Sequence, residues 1–105
     1  HWMNFSIGSS ACHIAISQIQ KRDEIDVELY ITDDYDLYNS LYEHKDDIES
    51  VAGLQFDWRE LPDRKASRIV LEKSAELTNK NQWESQFDWI IDVMLKMKKA
   101  FTKHI

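Results

Sequence analysis

Ile25-Asp26-Val27-Glu28-Leu29-Tyr30-Ile31 alternates apolar and polar residues without interruption. Successive side chains of an extended chain point to opposite faces, so this period of two predicts a strand with one buried and one solvated face. The neighbouring sequence supports more strands. Upstream, Phe5 and Ile7 alternate with Asn4 and Ser6, and Gly8-Ser9-Ser10 then reads as a turn. From Cys12 to Ile19, Cys12, Ile14 and Ile16 share one side while His13, Ala15 and Ser17 share the other. Lys21-Arg22-Asp23 is a polar turn into the central stretch.

Downstream, Thr32-Asp33-Asp34 offers capping oxygens and negative charge where a helix would start. Leu37, Leu41, His44, Ile48 and Val51 recur at helical spacing, which predicts one helix to about Ala52 with Gly53 as its stop. Tyr38 and Tyr42 would cover the edges of that stripe. Leu54, Phe56 and Trp58 alternate with Gln55, Asp57 and Arg59 as a fourth strand. A turn at Leu61-Pro62-Asp63-Arg64-Lys65 leads to a fifth around Ile69 and Leu71. After a polar link at 74–80, Asn81 caps a last helix to about Lys103, with the stripe Trp83, Phe87, Ile90/Ile91, Met94, Met97 and Phe101.

The order strand-strand-strand-helix-strand-strand-helix has short links between strands, which imply antiparallel hairpins. Two amphipathic helices bury their stripes most simply on one face of one sheet. The expected fold class is therefore α+β, a mainly antiparallel sheet of about five strands in a single domain spanning 1–105.

Composition narrows the function. The 105 residues are 43% hydrophobic and 30% charged, with two Gly, one Pro and one Cys. Collagen-like, disordered and disulfide-scaffold classes are excluded, and no run is long and apolar enough for a membrane helix. The unpaired Cys12 and the lack of an export signal favour a cytoplasmic setting. Because His1-Trp2 precede Met3, an excised part of a longer protein is expected.

No catalytic constellation emerges. The four histidines are scattered, and Cys12 and His13 point to opposite faces of a strand, so no metal site is expected. With two glycines the chain cannot hold a Gly-x-Gly-x-x-Gly fingerprint, and no Gly-x-Ser-x-Gly elbow occurs. Acid-x-lysine occurs as Glu43-His44-Lys45 and Asp63-Arg64-Lys65, in a predicted helix and a turn rather than on nuclease-like strands. Asp26 and Glu28 share the predicted solvated face, where they read as solvated charges or as ligands for a cation or substrate base. The segment is expected to carry no catalytic residues and no cofactor. One cluster reads as a binding surface: Arg59, Arg64, Lys65 and Arg68, beside Trp58, would gather at a hairpin end where cations could hold phosphates or a protein partner.

The net charge of −6 hides two blocks. Residues 23–63 hold fourteen acids against two bases, and residues 64–105 hold nine bases against five acids. An anionic partner would therefore meet the C-terminal half. With four Trp, four Tyr and four Phe, some aromatic surface is expected to remain exposed, and a homodimer is one use for it.

Three stretches, His1-Trp2-Met3-Asn4-Phe5-Ser6-Ile7-Gly8, Val27-Glu28-Leu29-Tyr30-Ile31 and Leu61-Pro62-Asp63-Arg64-Lys65-Ala66-Ser67-Arg68-Ile69, together with the Gln82-Trp83 helix start and the basic C-terminal end, resemble the bacterial family called domain of unknown function 4268. The resemblance covers essentially the whole chain. It implies the C-terminal domain of a longer bacterial protein, some of which carry a predicted restriction-endonuclease-like domain upstream. That upstream domain is then the expected partner, and the expected role is a non-catalytic accessory domain, with direct nucleic-acid binding as the alternative and a standalone hydrolase last. The resemblance supplies no catalytic residues.

Overall fold

The computed structural model describes residues 2–32, 34–61 and 65–105. Among them, five strands form one antiparallel sheet: β1 Trp2–Ser6, β2 Cys12–Ile19, β3 Glu24–Thr32, β4 Asp57–Leu61 and β5 Ala66–Ser74. Three α-helices accompany it: α1 Tyr35–Glu43, α2 Lys45–Ala52 and α3 Trp83–Thr102. The α+β expectation holds.

Across the sheet the strands run β1-β2-β3-β5-β4. The first three form a meander. Gly8, at φ 90°, lies in the first link, and Asp23, at φ 46°, closes the short 3-10 turn Gln20–Arg22 in the second. The chain then crosses α1 and α2, lays β4 at the edge and returns through β5 to pair with β3. Composition explains the exchange. β5 carries the buried pair Ile69 and Val70, one on each face, and so suits an interior position. β4, with Asp57, Arg59 and Glu60 among its five residues, suits an edge.

The odd residues of β3 behave as the sequence predicts. Ile25, Val27, Leu29 and Ile31 have no exposed surface, and the register sets Leu29 between Ile14 and Ile69. They join Leu41, Ile48, Val93, Met97 and Phe101 in one core. Trp58 packs at its margin, with ring centroids 6.3 Å from Tyr38, 5.6 Å from Tyr42 and 6.2 Å from Phe101. Glu49 on α2 ties this corner together, its Oε2 accepting from the Phe56 backbone N–H at 2.8 Å and from Trp58 Nε1 at 3.2 Å.

Several expectations need correction. The predicted helix over 35–52 is two helices, broken at His44 (φ −102°, ψ 17°). There the His44 N–H bonds Leu41 O at 3.0 Å, and its ring Nδ1 donates to Ser40 O at 2.8 Å. His44, predicted on the buried stripe, is exposed and stacks on His104 at 4.4 Å, while Leu41 and Ile48 on either side of the break are fully buried. The strand predicted at Leu54 begins at Asp57, because Phe56 turns into the core and gives its N–H to Glu49. The last helix starts at Trp83 after a 3-10 turn, Lys80–Gln82, capped by Asn79 rather than Asn81. Its stripe is also turned. Gln86, Ile90, Val93, Met97, Ala100 and Phe101 are buried, whereas Trp83, Phe87 and Ile91 are 41%, 53% and 50% exposed. Other readings hold: Asp34 Oδ1 caps α1 by accepting from Leu37 N at 2.9 Å, and Gly53 ends α2 at φ 67°.

Phe101 is fully buried where α3 meets Phe56 and Trp58. Phe101→Ala is expected to lower the unfolding free energy by about 3–5 kcal/mol, measured by urea denaturation followed through tryptophan fluorescence.

Candidate functional site

The second face of the sheet decides where chemistry is possible. It carries the residues opposite the core: His13, Ala15 and Ser17 on β2, Glu24, Asp26, Glu28 and Tyr30 on β3, Arg68, Val70 and Glu72 on β5, and Asp57 and Arg59 on β4. The predicted solvated face of β3 is a correction: Asp26 is 2% exposed and Glu28 has no exposed surface. The reason is neighbouring strands whose long side chains close over the carboxylates. Arg68 reaches across from β5 and grips Glu28 with two bonds, Nε to Oε2 at 2.5 Å and Nη2 to Oε1 at 2.8 Å. This bidentate, charge-assisted pairing makes burial of the carboxylate tolerable, and it holds the Arg68 guanidinium even more firmly protonated than usual.

The predicted binding cluster divides. Arg59 and Arg68 face each other directly across β4 and β5. Both are engaged: Arg59 bonds Asp57 at 2.6 Å and also Glu72, and Arg68 bonds Glu28. Trp58 points to the other face, into the aromatic margin of the core, so it does not accompany the arginines. Lys65 is exposed in the β4–β5 turn at φ 49°, and Arg64 lies outside the described residues, as do Pro62 and Asp63. A phosphate approaching Arg59 or Arg68 would meet guanidinium groups whose charge is already offset by bonded carboxylates. Of the acid-x-lysine tripeptides, Glu43 ends α1 and Lys45 begins α2.

A group not singled out as a set by the sequence lies beside these arginines. Carboxylate oxygens of Glu24, Asp26 and Glu72 all lie within 4.8 Å of one another. Arg22 holds Glu24 at 3.2 Å, and Arg59 holds Glu72. Asp26 and Ser17, with Arg22, Arg59 and Arg68 around them, line a depression of about 420 Å³. Burial, then the neighbouring carboxyl groups of Glu24 and Glu72, pushes the Asp26 carboxyl up to about 7. Its bond to Asp26 pulls the Glu24 carboxyl the opposite way. The pair thus shares one proton near neutrality.

Folding is linked to that proton. A raised carboxyl pKa means the native state keeps a proton that the unfolded chain releases above about pH 4, so this group's contribution falls as pH rises towards about 7 and is fully lost above it. Comparing urea midpoints near pH 5 and near pH 8, Asp26→Asn is expected to show a smaller decrease than the parent protein. Breaking the neighbouring ion pair has a different signature. Glu28→Gln is expected to cost about 3 kcal/mol, and the double replacement Glu28→Met, Arg68→Met distinctly less, in the same denaturation assay.

The core side of the fold leaves a second feature. An apolar groove of about 310 Å³ runs between the sheet and α3, lined by Met3, Phe5, Ile16, Phe87, Ile91 and Met94 among others. Phe87, Ile91 and Leu95, at successive intervals of four, form an exposed stripe along α3, Leu95 being 58% exposed. β1, at the edge of the sheet, borders it.

The architecture defines a small α+β domain built on a five-stranded antiparallel sheet, with engaged charges on one face and helices on the other. A family model described as Domain of unknown function (DUF4268) matches residues 1–105, and the chain belongs to that family. No curated protein and no solved structure matches it. Among the described residues, no helix is long and apolar enough to cross a membrane.

Proposed function

We propose that this domain is a non-catalytic interaction module, an accessory part of a longer bacterial protein, and that it pairs with a second copy of itself through α3. The exposed stripe on that helix carries the reading. Glu84, Phe87, Ile91, Leu95 and Lys98 fall at spacings of three, four, four and three, a pattern symmetric about Ile91 in position and opposite in charge. Two such helices packed antiparallel about a twofold axis at Ile91 would set each Phe87 against Leu95 and each Glu84 against Lys98. That is the self-complementarity a twofold interface requires. Three large apolar side chains on the solvent side of one helix are a poor design for an isolated domain, and the adjoining groove gives a partner side chain somewhere to insert.

The engagement of Arg59 and Arg68 by carboxylates favours this reading over nucleic-acid binding. An accessory role beside an upstream nuclease-like domain fits a module that brings two copies of its parent together.

Sedimentation velocity over a concentration series reaching about 0.2 mM tests the pairing, since a dimer with a dissociation constant of about 0.1 mM or tighter is well populated there. The expected result is a concentration-dependent dimer that Ile91→Glu abolishes. Glu84→Lys alone should weaken it, and Glu84→Lys combined with Lys98→Glu should restore it. A protein that stays monomeric throughout, or a dimer indifferent to all three variants, would overturn the proposal.

A further inference from the structure

We propose that Ser17, Glu24, Asp26 and Glu72 form a binding site for a hard divalent cation, Ca2+ being the ion that best fits it. Glu24, Asp26 and Glu72 come from adjacent strands, and the β3–β5 register places Asp26 directly opposite Glu72. Their nearest oxygens all lie within 4.8 Å of one another, close enough for one cation seated among them to draw in all three. Mg2+ demands a strict octahedral array and gives up its water reluctantly, whereas Ca2+ accepts an irregular shell of carboxylates, a hydroxyl and water. An all-oxygen donor set also selects against the softer metals.

Acidic residues cluster on many surfaces without binding anything, so a separate observation has to point to a ligand. Ser17 provides it. Its Oγ and the Oδ1 of Asp26 are the buried side-chain oxygens that lack a hydrogen-bond partner among the described residues. Ser17 is 8% exposed and Asp26 2%. The two residues are opposed across β2 and β3, and both line the same depression. Buried polar atoms in native proteins are almost always satisfied, and two orphans side by side mark a place where a partner belongs. A water molecule could satisfy either atom singly. Beside them the oxygens of three carboxylates converge, and one of the three, Asp26, has no arginine bonded to it among the described residues.

The arginines leave room for a cation. Arg22 engages Oε2 of Glu24 and Arg59 engages Oε1 of Glu72. Glu72 keeps a second oxygen able to accept, and among the described residues no arginine is bonded to Asp26. The mouth of the depression would supply water to complete the coordination shell.

Isothermal titration of chelator-treated protein with CaCl2, and separately with MgCl2, tests the site, alongside thermal unfolding with and without each salt. The expected result is one Ca2+ per chain with weaker Mg2+ binding, and a midpoint of unfolding that rises with Ca2+. Ser17→Ala should lower the affinity roughly tenfold, and Asp26→Asn should remove binding. Glu72→Gln, at a partly exposed position where folding is not at risk, should weaken it strongly, while Glu60→Gln on the other face should leave it unchanged. No heat and no thermal shift with either ion would overturn the proposal. So would binding that survives Asp26→Asn and Glu72→Gln, or that Glu60→Gln weakens equally.

Discussion

Glu28 sits in the middle of the sheet with no exposed surface, held by two hydrogen bonds from Arg68. Burying a carboxylate there without a partner would cost several kcal/mol of desolvation. The arrangement of the sheet supplies that partner. The arginine comes from β5, where it lies opposite Tyr30, two residues along from Glu28 on the same face, and it reaches Glu28 because β5 lies beside β3. β4 is thereby displaced to the edge, where Arg59 meets Asp57 and Glu72. With β5 inserted, Glu72 arrives opposite Asp26. The cluster of carboxylates thus follows from the strand order.

The two faces of the sheet divide the labour. One is an ordinary apolar core of aliphatic strand residues under three helices, closed at one end by Tyr38, Phe56, Trp58 and Phe101. The other is a layer of paired charges. In such a layer each group's protonation depends on its neighbours, and the opposite displacements of Glu24 and Asp26 are the clearest case. The basic residues of this region therefore act first as internal counter-ions, and exposed large apolar side chains lie along α3 instead.

That helix shows how far sequence periodicity reaches. Its pattern admits two apolar stripes, one through Ile90, Val93, Met97 and Phe101 and the other through Phe87, Ile91 and Leu95. Hydrophobicity does not rank them, and reading Trp83, Phe87, Ile90/Ile91, Met94, Met97 and Phe101 as one stripe blends the two. The sheet can cover only one, and the small Ala100 beside Phe101 allows close approach on that side. The break at His44 is similar. Its spacing continues the stripe, but a side chain that can bond the carbonyl four residues back ends the regular ladder there.

What the sequence determined by itself is local: the succession of strands and helices apart from the break at His44, the alternation of β3, the Asp34 cap and the Gly53 stop, all set by backbone sterics and by periods of 2 and 3.6 within a few residues. It also carried Arg59, Arg68 and Trp58 as a neighbourhood, since these residues are close in the chain. Only the tertiary structure decided which of them share a face, which carboxylates neutralise the arginines, and that Asp26 is buried beside Ser17 and Glu72. Apart from the Asp57–Arg59 pair and the opposed neighbours Trp58 and Arg59, those relations join residues 9 to 55 positions apart in the chain. They depend on strand order and register, and a single sequence records neither, because hydrogen bonding between strands is indifferent to how far apart in the chain the paired residues lie.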